Sequence, residues 1–240
     1  MRIEGATCLV TGANRGLGAV FVDQLHQRGA RRIYAAARRP ESVTRADVIP
    51  VGLDITDPVL VDRAAADCGD VDLLVNCAGI LRSSQPIAAD GPAAARAEIE
   101  TNYLGLLAMC RAFAPVLAAN GGGALVNVLS AVSWFAPPMN GTYAASKAAA
   151  WLLTHSVRRQ LAGQGTAVVA VHASFIDTEM TAHLDVPKTP PGRVVAQALD
   201  AVEAGRPEVL ADARTVEVKA ALSNDLELIY GLSPVRGCAR

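Results

Sequence analysis

Short, uniformly apolar runs alternate along the chain with longer stretches whose apolar positions recur every three to four residues. The runs at 6–11 (ATCLVT), 31–37 (RRIYAAA), 48–54 (VIPVGLD), 71–79 (VDLLVNCAG), 123–130 (GALVNVLS), 165–174 (GTAVVAVHAS) and 207–212 (PEVLAD) read as strands. They lack the apolar–polar alternation of a half-exposed strand. Burial on both faces is expected, and with it a parallel sheet covered by helices. Between them, 17–29 places Val20, Phe21 and Leu25 on one helical face and ends in a glycine suited to follow a helix. Asp57 and Pro58 suit the start of a helix through 67. Further helices are expected at about 92–119, with Pro115 near its end, at 142–163, which is Ala-rich, and at about 190–204. The C-terminal tail, 213–240, reads as helical over 213–230. No linker, repeat or low-complexity tract interrupts the pattern. Residues 1–240 therefore read as one α/β unit, a doubly wound Rossmann-type domain of about seven parallel strands with helices on both faces.

Composition narrows the function classes. The chain carries 22 basic and 23 acidic residues, a formal net charge of −1. Nothing in that balance points to nucleic acid or an anionic membrane, both of which attract a basic field. No apolar run of about 18 residues escapes a charge or a breaker, so no membrane span is expected. The first residues run straight into a strand, so no signal peptide is expected either. The five cysteines form no C-x-x-C pair, and the four histidines show no metal-ligand spacing. Reduced thiols, a cytoplasmic location and no metal site are the corresponding expectations.

The first strand runs into TGANRGLG (11–18), and a helix follows at once. That context separates a phosphate-holding loop from a chance cluster of glycines. Gly12 suits the tight turn, Gly16 lets the backbone approach a pyrophosphate, and Gly18 lets the helix pack close to the sheet. Phosphates would then sit on the helix N-terminus, where free N–H groups and the dipole favour anions.

The spacing T-G-x-x-x-G-x-G resembles the short-chain dehydrogenase/reductase superfamily, and further matches follow in order. LDITD places Asp54 where the family contacts adenine. NCAG supplies Asn76, Ala78 and Gly79, with Cys77 replacing the family's second Asn. TNYLG supplies Asn102, and YAASK supplies Tyr143 and Lys147. Ser130 lies 13 residues before Tyr143, the family's usual gap; Ser133 is a local rival that fits the spacing less well. The resemblance covers about 1–212. It implies an oxidoreductase moving a hydride between a nicotinamide cofactor and a ketone or aldehyde, or reversibly an alcohol. Its loop contacts would come from Gly12, Asn14, Arg15, Gly16, Leu17 and Gly18. Ile176 and Thr178 would contact the nicotinamide end. It gives Asn102 a water linking Lys147 to solvent, lets Lys147 bind the ribose, and implies a homodimer or homotetramer.

The chemistry is consistent with those residue types. Tyr143 and Lys147 are four apart on a helix, hence on one face. A free phenol has a pKa of about 10, and a nearby ammonium lowers it toward neutral pH. Tyr143 can then supply the proton for a developing alkoxide, and Ser130 a hydrogen bond to the same oxygen. The second strand ends YAAARRP, without the acidic residue that would bond a ribose 2′-hydroxyl. Arg38, Arg39 and Arg15 suit a 2′-phosphate instead. NADPH is the expected cofactor and NADH the alternative. Two departures stand out. Ala173 and Ser174 replace the family's Pro-Gly, which removes a fixed φ from the floor of the nicotinamide pocket. The segment at 178–192 is short and Pro-rich for a substrate cover, so an open site is expected, lined by Trp134, Phe135 and Met139. A nucleotide-sensing protein without turnover is the competing class. An intact Ser130–Tyr143–Lys147 set argues against it. A lyase or epimerase of the related extended type fits the loop spacing poorly.

Overall fold

A computed structural model describes residues 1–222. Its elements run β1 (Thr7–Thr11), α1 (Gly16–Gln27), β2 (Arg32–Ala37), β3 (Ile49–Gly52), α2 (Pro58–Asp67), β4 (Leu73–Asn76), α3 (Gly91–Ile99), a π-helical turn (Glu100–Gly105), α4 (Leu106–Ala119), β5 (Ala124–Val128), α5 (Gly141–Leu161), β6 (Ala167–His172), α6 (Pro191–Glu203), β7 (Glu208–Leu210) and α7 (Ala213–Ala221). The helical tail expected at 213–230 is α7 as far as Leu222, and the rest of it, with Cys238, lies outside the described residues.

All seven strands pair in parallel in the order β3-β2-β1-β4-β5-β6-β7. From β1 the chain winds outward one way through β2 and β3. It then returns to β4 and winds the other way. The crevice at the β1/β4 switch is where such sheets bind ligands.

The apolar runs work as the pattern requires. On β1, Cys8 and Val10 face a core layer with Phe21 and Leu25 of α1 and Val194 and Leu199 of α6. Leu9, between them, faces the opposite layer with Met109 and Phe113 of α4 and Ala150 and Val157 of α5. Each side chain is fully or nearly fully buried, and strand periodicity alone assigns it to a layer.

The structure differs from expectation in one element. The helix expected at 92–119 is two helices joined by the π-helical turn that carries Asn102. A π turn inserts a residue without breaking the apolar periodicity, so the pattern does not reveal it. Close packing accompanies it: a Cβ on Gly105 would lie 2.8 Å from Ile55 Cγ1. The combined stretch Gly91–Ala119 has a mean hydropathy of 1.4 over its most apolar window. By length and composition it could cross a membrane, contrary to the expectation from apolar runs. In this fold it is a core helix, with Met109, Phe113 and Leu117 fully buried.

Candidate active site

The C-terminal ends of β1, β2, β4, β5 and β6 open onto a cavity of about 950 Å³, at the upper end of the usual size for a small-molecule site. The β1–α1 loop enters it through Gly12, Asn14, Arg15, Gly16, Leu17 and Gly18. Opposite and around lie Arg38, Asp54, Ala78, Gly79, Ser130, Tyr143, Lys147, Ile176 and Thr178. Positions scattered from Gly12 to Thr178 along the chain therefore meet at one site.

Two glycines of the loop are required by geometry. Gly12 has φ +66, and a Cβ there would sit 3.1 Å from Ala78 Cα. A Cβ on Gly18 would lie 2.2 Å from the Gly12 carbonyl oxygen, so only glycine lets α1 start this close to the loop. No side chain caps the N-terminus of α1, and its first turn holds no acidic residue. This is a cradle suited to an anion. Thr11 braces it from beneath: its Oγ1 accepts from Cys77 N (3.0 Å) and Ala78 N (3.1 Å), tying β1 to β4. Nothing in the glycine spacing singles out Thr11 for that role, although it opens the motif.

At the other end, the Ser130 hydroxyl and the Tyr143 phenol are hydrogen-bonded. The Lys147 ammonium lies 5.8 Å from the centre of the Tyr143 ring and donates to Val128 O (3.0 Å). Lys147 is buried, and Tyr143 lies largely within the protein at the cavity wall. Burial pulls Lys147 down to about 8. Tyr143 differs from the sequence expectation of an acidified phenol. Burial pushes its pKa well up, the Glu98 carboxylate raises it further, and only the Ser130 hydrogen bond lowers it. Desolvation of the phenolate outweighs its polar neighbours here. Burial likewise pushes the Cys77 thiol up to about 12, with Lys147 pulling the other way.

Asn102 is buried behind the wall rather than lining the cavity. Its Oδ1 accepts from Ile80 N (2.9 Å), and its Nδ2 donates to Ile80 O (2.9 Å) and Ser146 Oγ (2.9 Å). The π-helical turn aims it at the Ile80 backbone. Asn76 also departs from its expected place at the cofactor. Its side chain lies beneath the cavity floor, donating to Asn127 Oδ1 (3.0 Å), and Asn127 in turn donates to Thr154 Oγ1 (2.9 Å). This buried chain joins β4, β5 and α5.

Trp134, Phe135 and Met139 do not line the cavity. Ser130 leads into a 3₁₀ turn (Ala131–Ser133) that carries the chain behind the site. Trp134 stacks on His172 (4.1 Å between ring centres), Phe135 lies under the Arg214 guanidinium, and Met139 is exposed beside Gln85. Buried His172 has its pKa drawn down to about 4, burial being the main cause; its Nδ1 lies 3.1 Å from Ser130 O. Ser133 is buried and also outside the cavity, which leaves Ser130 beside Tyr143.

The remaining wall is the segment after β6. Ser174 N donates to Asp212 Oδ2 (2.7 Å), so the Ala173–Ser174 turn is anchored to the residue that caps α7. Thr189 bonds back to Phe175 and Asp177, folding 176–189 into a closed loop. Glu179, Met180 and His183 of that loop reach the cavity. Glu179 pairs with Arg15 (3.0 Å) across its mouth. Arg38 and Arg39 have no ion-pair partner among the described residues. The glycine-lined cradle at one end and the Ser–Tyr–Lys group at the other fit a dinucleotide lying across the strand ends.

Known proteins agree with this arrangement. Residues 6–188 match the family described as short chain dehydrogenase. The chain belongs to that family. It is similar to a short chain dehydrogenase of Burkholderia cenocepacia solved in complex with NADP, with 42% identity and a TM-score of 0.93 over 98% of this chain and 100% of that one. It is 34% identical to the galactitol 2-dehydrogenase (L-tagatose-forming) of Cereibacter sphaeroides over 191 residues, 75% of each chain. A short chain dehydrogenase/reductase of Burkholderia phymatum, solved in complex with NAD, shares the fold at 20% identity, with a TM-score of 0.84 and full coverage of both chains. This short-chain dehydrogenase is thus an oxidoreductase-family protein with a nucleotide-cofactor fold.

Proposed function

We propose that the protein is an NADPH-dependent reductase of ketones or aldehydes, running in reverse as an alcohol dehydrogenase. The observation that carries this reading is the hydrogen-bonded Ser130–Tyr143 pair, with Lys147 one turn along α5, at the closed end of the cavity. A bound nicotinamide supplies the hydride to the carbonyl carbon, or accepts it from the alcohol. Ser130 holds the substrate oxygen by donating a hydrogen bond. Tyr143 gives that oxygen its phenolic proton as negative charge develops there, and takes a proton back in alcohol oxidation. Lys147 carries a positive charge beside the tyrosinate and offers its N–H groups to the cofactor ribose. Asn102 acts on this centre by fixing Ile80 and Ser146.

Preference for NADPH rests on Arg38 and Arg39 at the end of β2, on the lack of an acidic residue there, and on Arg15. The NADP held by the Burkholderia cenocepacia relative supports it. The anchored Ala173–Ser174 turn fits a cofactor floor held by Asp212 in place of a fixed proline φ. Exposed Leu104, Leu107 and Leu152 on the π-helical turn, α4 and α5 support pairing of two copies through those helices.

The test follows nicotinamide absorbance with NADPH and NADH across a panel of ketones, aldehydes and alcohols, in the wild type and in Tyr143→Phe. Turnover that prefers NADPH and disappears in the variant is expected. Undiminished turnover in the variant overturns the assignment of Tyr143. Tight NADPH binding with no turnover on any compound supports a nucleotide sensor instead.

A further inference from the structure

We propose that Glu98 is a positioning residue for Tyr143: its buried carboxylate ties residues 80–82 to α3 and sets a negative charge beside the phenol, against the Lys147 ammonium. The inference rests on Tyr143 being the proton donor.

Helix α3 buries Gly91, Ala94 and Glu98, a three-and-four spacing at which a helix ordinarily places apolar residues. Glu98 has no exposed surface. A carboxylate so placed is expensive unless it is paired. No cation lies within ion-pair distance of it among the described residues. Its Oε1 accepts from Arg82 N at 2.7 Å, and its Oε2 has no hydrogen-bond partner. An apolar side chain would fill the same space without that penalty, so packing alone does not account for an acid here.

What surrounds it does. Glu98 stands four residues before Asn102, on the same face. Asn102 brackets both the N–H and the C=O of Ile80, and Glu98 takes the next free N–H in line, that of Arg82. The two side chains clamp 80–82 from one side. From the other, Thr142 donates to Ser84 O (3.4 Å), joining the same segment to α5 immediately before Tyr143. Ile80, Arg82 and Tyr143 all line the cavity. The groups that act on the phenol are few: Lys147 from its own helix, Glu98 from α3, and Ser130 from the end of β5. Cys77, after β4, acts on Lys147 rather than on the phenol. Glu98 is the carboxylate that raises the tyrosine's pKa, working against the lysine. A phenol made more reluctant to ionise stays a loaded proton donor to higher pH, which favours reduction over alcohol oxidation.

Glu98→Gln tests this, because the amide oxygen can keep the Arg82 hydrogen bond while the charge is lost. Tyrosine ring-carbon NMR titration reads the phenol without any substrate, and Tyr143→Phe identifies its signal among the chain's four tyrosines. In Glu98→Gln the Tyr143 signal is expected to titrate about one pH unit lower than in the wild type. The alkaline limb of NADPH turnover, read with the fastest compound of the panel, is expected to move the same way, with KM unchanged. Glu98→Met, which also gives up the hydrogen bond, should share the shift and raise KM as 80–82 loosens; it carries the test if the Gln variant folds poorly. Titration and limb both matching the wild type overturn the proposal. Retained turnover in Tyr143→Phe would instead sink the reading of Tyr143 itself, so the two failures are distinguishable.

Discussion

The contact between α1 and the phosphate loop can be tested with one methyl group. In Gly18→Ala the new Cβ would lie 2.2 Å from Gly12 O and 2.7 Å from Gly12 C, where ordinary contact begins at 3.4 Å. The shortfall at the oxygen is 3.4 − 2.2 = 1.2 Å. Both atoms are backbone, so no side chain can swing aside: either α1 withdraws or the Gly12 turn moves. Alanine gains about 1 kcal/mol over glycine inside a helix. Overpacking against backbone costs about 1–3 kcal/mol or more. Overpacking outweighs the helix gain, with a net loss of about 2 kcal/mol, or roughly 4–8 °C in Tm for a chain this long. Displacing the cradle by about an ångström should also weaken nucleotide binding tenfold or more. Gly163→Ala is the control. It has open space around its Cβ position, and substitution there should be neutral or stabilising by up to about 1 kcal/mol. Thermal melts and fluorescence titration with NADPH and NADH read both variants. The reasoning fails if Gly18→Ala melts with the control and binds nucleotide within about twofold of the wild type, a difference under about 0.4 kcal/mol.

Three further outcomes follow from the site. Arg38→Ala with Arg39→Ala should weaken NADPH binding about tenfold, some 1.4 kcal/mol, and leave NADH nearly unaffected; equal losses for the two would remove the 2′-phosphate assignment. His172 is held neutral, its pKa drawn from 6.5 to about 4, so the unfolded chain takes up a proton before the folded one. Stability from this group is then full above about pH 6.5 and falls by about 3 kcal/mol as pH drops to about 4. His172→Asn should flatten that stretch of the denaturant-measured pH profile, and an unchanged slope would refute the assignment. Lys147 has its pKa lowered by burial from 10.5 to about 8, so holding it charged at neutral pH opposes folding. Lys147→Met should therefore abolish turnover while keeping or raising Tm at pH 7, by on the order of 3 kcal/mol at most; a marked drop in Tm would show that the ammonium is structural.

The sequence exposes this molecule where a residue's role is set by period or by local spacing. Uniform apolar runs mark strands buried on both faces. The sheet then brings the glycine loop, Asp54, Ala78, Ser130 and the Tyr143–Lys147 turn to one edge, because strand ends in a parallel sheet share a side. Roles set by side-chain direction across the fold are hidden. Asn76 sits one residue from a cavity-lining position, yet strand alternation turns it under the floor toward Asn127. Trp134 follows Ser130 closely, yet a 3₁₀ turn takes it behind the site onto His172. The π-helical turn leaves no trace in the apolar pattern, since it shifts phase by a single residue. Glu98 did carry a signal: with Gly91 and Ala94 it occupies the stripe that α3 should bury, and an acid on that stripe breaks the local rule. Local rules are broken most often where function supplies the compensation. Asn102, one turn further along the same buried face, breaks it too, and both side chains hold the segment that walls Tyr143. Two polar residues four apart on a buried stripe were therefore the legible mark of the site's support, in a helix whose apolar content points first to packing.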